Sequence, residues 1–199
     1  VRIPRLSAAS WVSVLTSPAM LLVLAVTVLN GTGQFTFFTY LNPSLKASLA
    51  ASAALLTVVL AWYGVSATIG NIFASRVVSR FGPARSALVA LLTMAAGLIL
   101  WGAGAGTLAI VLTGATLWGL GTFATNSIQQ ARLAGLAPDL TSAAIALNTS
   151  AIYLGQALGS GLGGMLVKAG AMPHLPWTGA AILLAAAAVS VAAMRWERM

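Results

Sequence analysis

Cysteine is absent, which excludes disulfides, thiol chemistry and cysteine-held metals. Charge is scarce: the 10 basic and 2 acidic residues make 6% of 199, against about 25% in soluble domains. So few ionic groups cannot cover the surface of a soluble fold of this size. One histidine and two acids also leave almost no material for an enzyme site or a metal, so neither catalysis nor a cofactor is expected. The net charge of +8 comes from cations spread thinly between apolar runs. A nucleic-acid surface would need them clustered on one face, so no nucleic-acid partner is expected.

What is abundant is apolar sequence, 59% of the chain, with a mean hydropathy of +0.96. Residues 1–17, with Arg2, Arg5 and Trp11, read as a cytoplasmic lead-in. Ser17-Pro18 then gives a helix start, an N-cap followed by proline at the first helical position. An uncharged run follows to about Leu45, and five more lie at roughly 50–75, 86–104, 107–130, 143–168 and 177–194. Each approaches or exceeds the roughly 20 residues that span a bilayer. Pro83, Pro138, Pro173 and Pro176 fall in the gaps. The expectation is an all-α integral membrane bundle, residues 18–194, with a short tail at 195–199.

Orientation follows from alternate sides. Arg2, Arg5, Arg76, Arg80, Arg85, Arg132, Arg195 and Arg198 fall on one side, Lys46 and Lys168 on the other. Basic residues collect inside, which predicts cytoplasmic termini and a multi-pass protein of the plasma membrane.

Runs three and six are nearly all Ala, Leu, Val, Ile and Met and are expected to face lipid. The other four carry amides, hydroxyls and aromatics, whose polar groups need protein or a watery cavity around them. Two featured runs and one plain run, stated twice, give a three-plus-three repeat. Leu29-x-Gly31-x-Gly33-x-Phe35 is echoed by Leu117-x-Gly119-x-Gly121-x-Phe123, and Ala61-x-Tyr63 by Ala151-x-Tyr153. Three crossings reverse direction, so the repeat is inverted, as in secondary transporters.

The order of motifs resembles the C-terminal half of a major facilitator superfamily transporter, of the bacterial drug:proton antiporter or arabinose-efflux type. Gly70-x5-Arg76-x2-Ser79-Arg80-x-Gly82-x2-Arg85 is similar to the family's cytoplasmic loop motif, with Ser79 where an acid is common. Gln34-Phe-Thr-Phe-Phe-Thr-Tyr40 resembles its seventh helix, and Gln129 onward through Gly155-x3-Gly159-x3-Gly163 its tenth and eleventh. The resemblance implies a twelve-helix fold of which six are present. It also implies an N-terminal half or a second copy as partner, and efflux by alternating access.

Helix limits place Asn30, Gln34, Trp62, Tyr63, Trp118, Thr122, Tyr153 and Gln156 near mid-membrane, with Asn126 one turn below Thr122 on the same face. They are the candidate half-cavity, uncharged and aromatic, suited to a sugar or a small neutral or amphipathic molecule. Interhelical hydrogen bonding is the competing explanation for each residue taken singly. Gly155, Gly159 and Gly163 form a packing stripe. No carboxylate lies in any span, so this half offers no proton carrier. A truncated fragment without transport of its own is the alternative.

Overall fold

The computed structural model describes residues 16–197. The expectations for Arg2, Arg5, Trp11 and Arg198 lie outside them. The elements are α1 (Pro18–Phe38), α2 (Leu41–Leu49), α3 (Ala53–Phe81), α4 (Pro83–Ala103), α5 (Leu108–Leu136), α6 (Thr141–Lys168) and α7 (Leu175–Trp196). Short 3-10 turns at Pro138–Leu140 and Met172–His174 lead into α6 and α7. No strand occurs among the described residues.

Local chemistry sets most boundaries. The Ser17 side chain accepts from the Met20 N–H at 3.5 Å, with Pro18 opening α1. Ser52 accepts from the Leu55 N–H at 3.2 Å to start α3. The first apolar run does not form one helix to Leu45. It breaks at Thr39–Tyr40 and resumes as α2. Pro43 explains the break: a helix running on through it would lose an N–H and drive the ring into the Thr39 carbonyl.

Among the described residues six helices are long. Five are apolar enough to cross a membrane, namely α1, α3, α4, α5 and the Met172–Trp196 segment. α6 has 28 residues, about 42 Å at 1.5 Å per residue, enough for a bilayer core. Its amides, hydroxyls and glycines keep it outside that apolar set.

The triplets α1–α3–α4 and α5–α6–α7 exchange partners. α1 packs on α6 and α7, α5 packs on α3 and α4, and the plain helices α4 and α7 meet each other. The glycine echoes sit at these junctions. Gly31 abuts Gly155 of α6, as Gly119 abuts Tyr63 and Ala67 of α3. Gly33 abuts Gly179 of α7, as Gly121 abuts Met94 of α4.

The tyrosine echo is out of register. Gly119 minus Gly31 is 88, which pairs Gly155 with Ala67, whereas Tyr63 and Tyr153 are 90 apart. Two residues turn a helix by about 200°, so the second tyrosine points the opposite way. Tyr63 is buried and Tyr153 is 65% exposed.

The plain helices do not simply face lipid. In their most apolar stretches α4 is 50% buried and α3 only 33%. Alanine and glycine faces let α4 pack closely, while α3 presents Val58, Trp62, Val65, Ile69 and Ile72 outward.

Candidate substrate cavity

A cavity of about 320 Å³ opens among α1, α3, α5 and α6. From α1 it takes Thr27, Asn30, Gly31, Gln34, Phe35 and Phe38; from α3, Tyr63. α5 supplies Thr122, Phe123, Thr125, Asn126 and Gln129, and α6 supplies Ile152 and Gln156. Helical spacing of three and four puts each set on one face. None of these side chains is acidic or basic.

Its polar groups are mutually organised. Gln34 Nε2 donates to Asn30 Oδ1 at 3.1 Å. Thr122 donates its hydroxyl hydrogen to the Trp118 carbonyl, 3.0 Å. The 2.9 Å contact between Tyr63 and Thr122 therefore has the phenol as donor, leaving the Tyr63 oxygen free to accept. Thr27 donates to Asn148 Oδ1 at 2.8 Å, and Asn148 Nδ2 reaches Asn126 Oδ1 at 3.5 Å.

Gln129 is tied into the same network. Its Nε2 donates to the Val23 carbonyl at 3.2 Å and to Thr27 Oγ1 at 3.3 Å. A reversed amide would set oxygen against that carbonyl and against a hydroxyl whose hydrogen is committed elsewhere. The orientation is thus fixed, and Oε1 is left buried with no donor. Gln129 is 1% exposed.

Of the expected cavity residues, Asn30, Gln34, Tyr63, Thr122, Asn126 and Gln156 come together here. Trp62, Trp118 and Tyr153 do not. Trp62 is half exposed on α3 and donates to Thr116 Oγ1 at 2.8 Å. Trp118 is fully buried behind the cavity wall, with its ring centroid 4.6 Å from Tyr63 and 5.6 Å from Phe37. Tyr153 lies on the outward face of α6, two residues from the register its echo suggests. Thr27 and Gln129 were missed because a depth criterion of one turn about mid-membrane excludes them. Their signal was spacing: Thr27 lies three before Asn30, and Gln129 three after Asn126.

The motif around the arginines is not a loop. Arg76, Ser79 and Arg80 belong to α3, and Arg85 lies in the first turn of α4. The whole turn is Gly82, at φ +78°, a conformation that favours glycine. Ser79 donates back to the Arg76 carbonyl at 2.9 Å. Arg76 and Arg80 stand over the rings of Phe73 and Phe81, each 5.4 Å from the centroid. Gly70 sits far from the turn, where its α-carbon meets the Leu120 backbone of α5. Gly155, Gly159 and Gly163 lie along α1, against the carbonyls of Val28, Thr32 and Thr36.

Arg132, counted with the basic residues of the arginine-bearing side, is not at the surface. It lies inside α5, 2% exposed. Its Nε donates to Glu197 Oε1 at 2.7 Å, and its Nη1 and Nη2 donate to the Ser190 hydroxyl and carbonyl at 2.9 and 3.2 Å.

Comparison with known proteins agrees with this architecture. The chain is 29% identical to the inner membrane transport protein YdhP of Escherichia coli K12 over 160 residues, 79% of this chain and 40% of that protein. It is 28% identical to the MFS-type transporter YtbD of Bacillus subtilis 168 over 188 residues, 92% of this chain and 46% of that one. The chain therefore spans under half the length of the curated relatives it matches. The family model for the Major Facilitator Superfamily aligns with residues 23–198, through all six long helices, and the chain belongs to that superfamily of membrane transporters.

Proposed function

We propose that this chain supplies the C-terminal half of a substrate cavity in an efflux transporter. It works with a six-helix N-terminal half or a second copy, by alternating access, in a bacterial inner membrane. The arginine-bearing end is the cytoplasmic one. The observation that carries the reading is the cavity itself: amides, hydroxyls and aromatic rings gathered from four helices, without a formal charge among them. Such a lining suits a neutral molecule with hydroxyl or N–H donors and an apolar face, a sugar or a small amphipathic organic compound. Gln129 Oε1 supports this, since burying an acceptor without a donor costs about 1–3 kcal/mol and a donating substrate would recover it. A cavity without carboxylates leaves any proton coupling to the partner half.

The arginine-bearing end includes the start of α1, the ends of α5 and α7 and the α3–α4 turn, joined through the packing of Met20, Leu133, Ala143 and Ala193 and through Glu197. The bias of basic residues to the inner side supports placing that end in the cytoplasm.

The test is efflux from cells or vesicles carrying the chain alone, or together with an N-terminal half from a matched relative. Efflux is expected only in the second case, and Gln34→Leu or Asn126→Leu should reduce it about tenfold or more by orphaning neighbouring amides. Absence of efflux in both, with membrane insertion verified, refutes the proposal.

A further inference from the structure

A second pocket, about 200 Å³, lies at the end of the bundle away from the arginines. It is walled by Ser44, Ala47 and Ser48 of α2, by Trp101 and Gly102 of α4 and by the Met172–Pro176 turn. It is separate from the central cavity, with which it shares no lining residue.

Hydroxyls on the helices of this chain usually satisfy themselves by donating to the carbonyl four residues back, as Thr32, Ser66, Ser86 and Thr125 do. Ser48 Oγ is buried and does not. Trp101 Nε1 is buried too and has no acceptor, in a residue 1% exposed. The half-exposed Trp62 finds one in Thr116, while Trp118 Nε1, buried in a residue that lines neither pocket, also lacks one, so it is the pairing with Ser48 at a pocket wall that sets Trp101 apart. Two residues in the wall of one small pocket therefore each hold a buried donor without a partner. An indole N–H can only donate, so the occupant must bring an acceptor oxygen. No lining side chain is charged, and Met172, Pro173, Pro176 and Ala47 demand an otherwise apolar body.

Size and position narrow the choice. At about 30 Å³ for each water-sized group, 200 Å³ holds roughly seven, which fits an ester and a short length of chain. The rim reaches the surface at Ala47 and Pro173. Below it the outer faces of α4 and α7 are aliphatic: Val89, Leu92, Ile99, Leu184 and Val191. Trp177, 44% exposed, stands beside Gly102 at the same level, where aromatic rings mark the bilayer interface. Glycerolipid ester carbonyls are the acceptors present at that depth.

We propose that this pocket is a lipid site, in which Trp101 Nε1–H and Ser48 Oγ–H donate to the ester carbonyl of a glycerolipid acyl chain. The inference does not depend on the transport reading.

The test places the full chain in nanodiscs of equimolar phosphatidylcholines matched in headgroup and chain length, one ester-linked and one ether-linked. Lipids retained after release are counted by native mass spectrometry. The ester lipid should be retained about tenfold over the ether lipid, one net hydrogen bond's worth. Trp101→Phe with Ser48→Ala removes both donors while leaving an aromatic ring in the wall, and should bring retention to parity. Equal retention by the unaltered chain overturns the proposal, as does a preference that survives the double substitution. The first comparison needs no variant, so it stands even if the double variant fails to fold.

Discussion

The Arg132–Glu197 pair lends itself to the sharpest perturbation. Glu197→Gln leaves a guanidinium inside the bundle facing an amide, with Ser190 as its remaining partner. Breaking a buried ion pair from one side costs about 3–5 kcal/mol. The Glu197 side chain is 16% exposed and Arg132 1%, so some solvent reaches the pair and the lower end applies, about 3 kcal/mol. For a chain of this length each kcal/mol moves the unfolding midpoint by about 2–4 °C, which gives a drop of about 6–12 °C. The assay is thermal unfolding of the detergent-solubilised chain followed by tryptophan fluorescence. Arg132→Met alone should be milder, since it strands a carboxylate that water can reach. The double variant Arg132→Met, Glu197→Gln removes the stranded charge and should be more stable than Glu197→Gln alone. A midpoint change within about 2 °C for Glu197→Gln, or a double variant less stable than it, refutes the reasoning.

Other outcomes follow from the packing. Gly70→Ala should destabilise the chain by about 1–3 kcal/mol in the same unfolding assay, because the added methyl meets the Leu120 backbone, which cannot swing aside. Gly159→Leu should separate α6 from α1 where the Thr32 carbonyl approaches, and a cysteine-crosslinking pair across that junction should lose yield. Thr27→Val removes the donor to Asn148 and the acceptor for Gln129, and should cost about 1–3 kcal/mol of stability. Replacing Arg76, Arg80 and Arg85 with alanine should weaken or invert membrane orientation in a reporter-fusion assay, and unchanged orientation would refute their role as topological anchors.

Much of this fold could be read from apolar runs and their punctuation, because a membrane helix must be long, uncharged and capped or broken at its ends. The α1–α2 break was missed although Pro43 stood in plain view, since hydropathy alone ran across it. Arg132 counts toward the basic side in the sequence, but nothing local signals its burial, because its partner lies 65 residues away and tertiary pairing leaves no local trace. The cavity divided similarly. Depth along a helix is legible from residue counting, and it brought Asn30, Gln34, Tyr63, Thr122 and Gln156 to one level. Direction around the helix is not, because a span that is apolar on every side has no amphipathic face to set its rotation. Trp62, Trp118 and Tyr153 were at the right depth and turned elsewhere.

The single-residue turn at Gly82 bears on how movement passes from α3 to α4. With one residue between them, the ends of α3 and α4 stay within a few ångströms of each other, and three arginines crowd that tip. Neither helix can slide along its axis at that end without carrying the other, so a tilt of α3 there is passed directly to the first turn of α4.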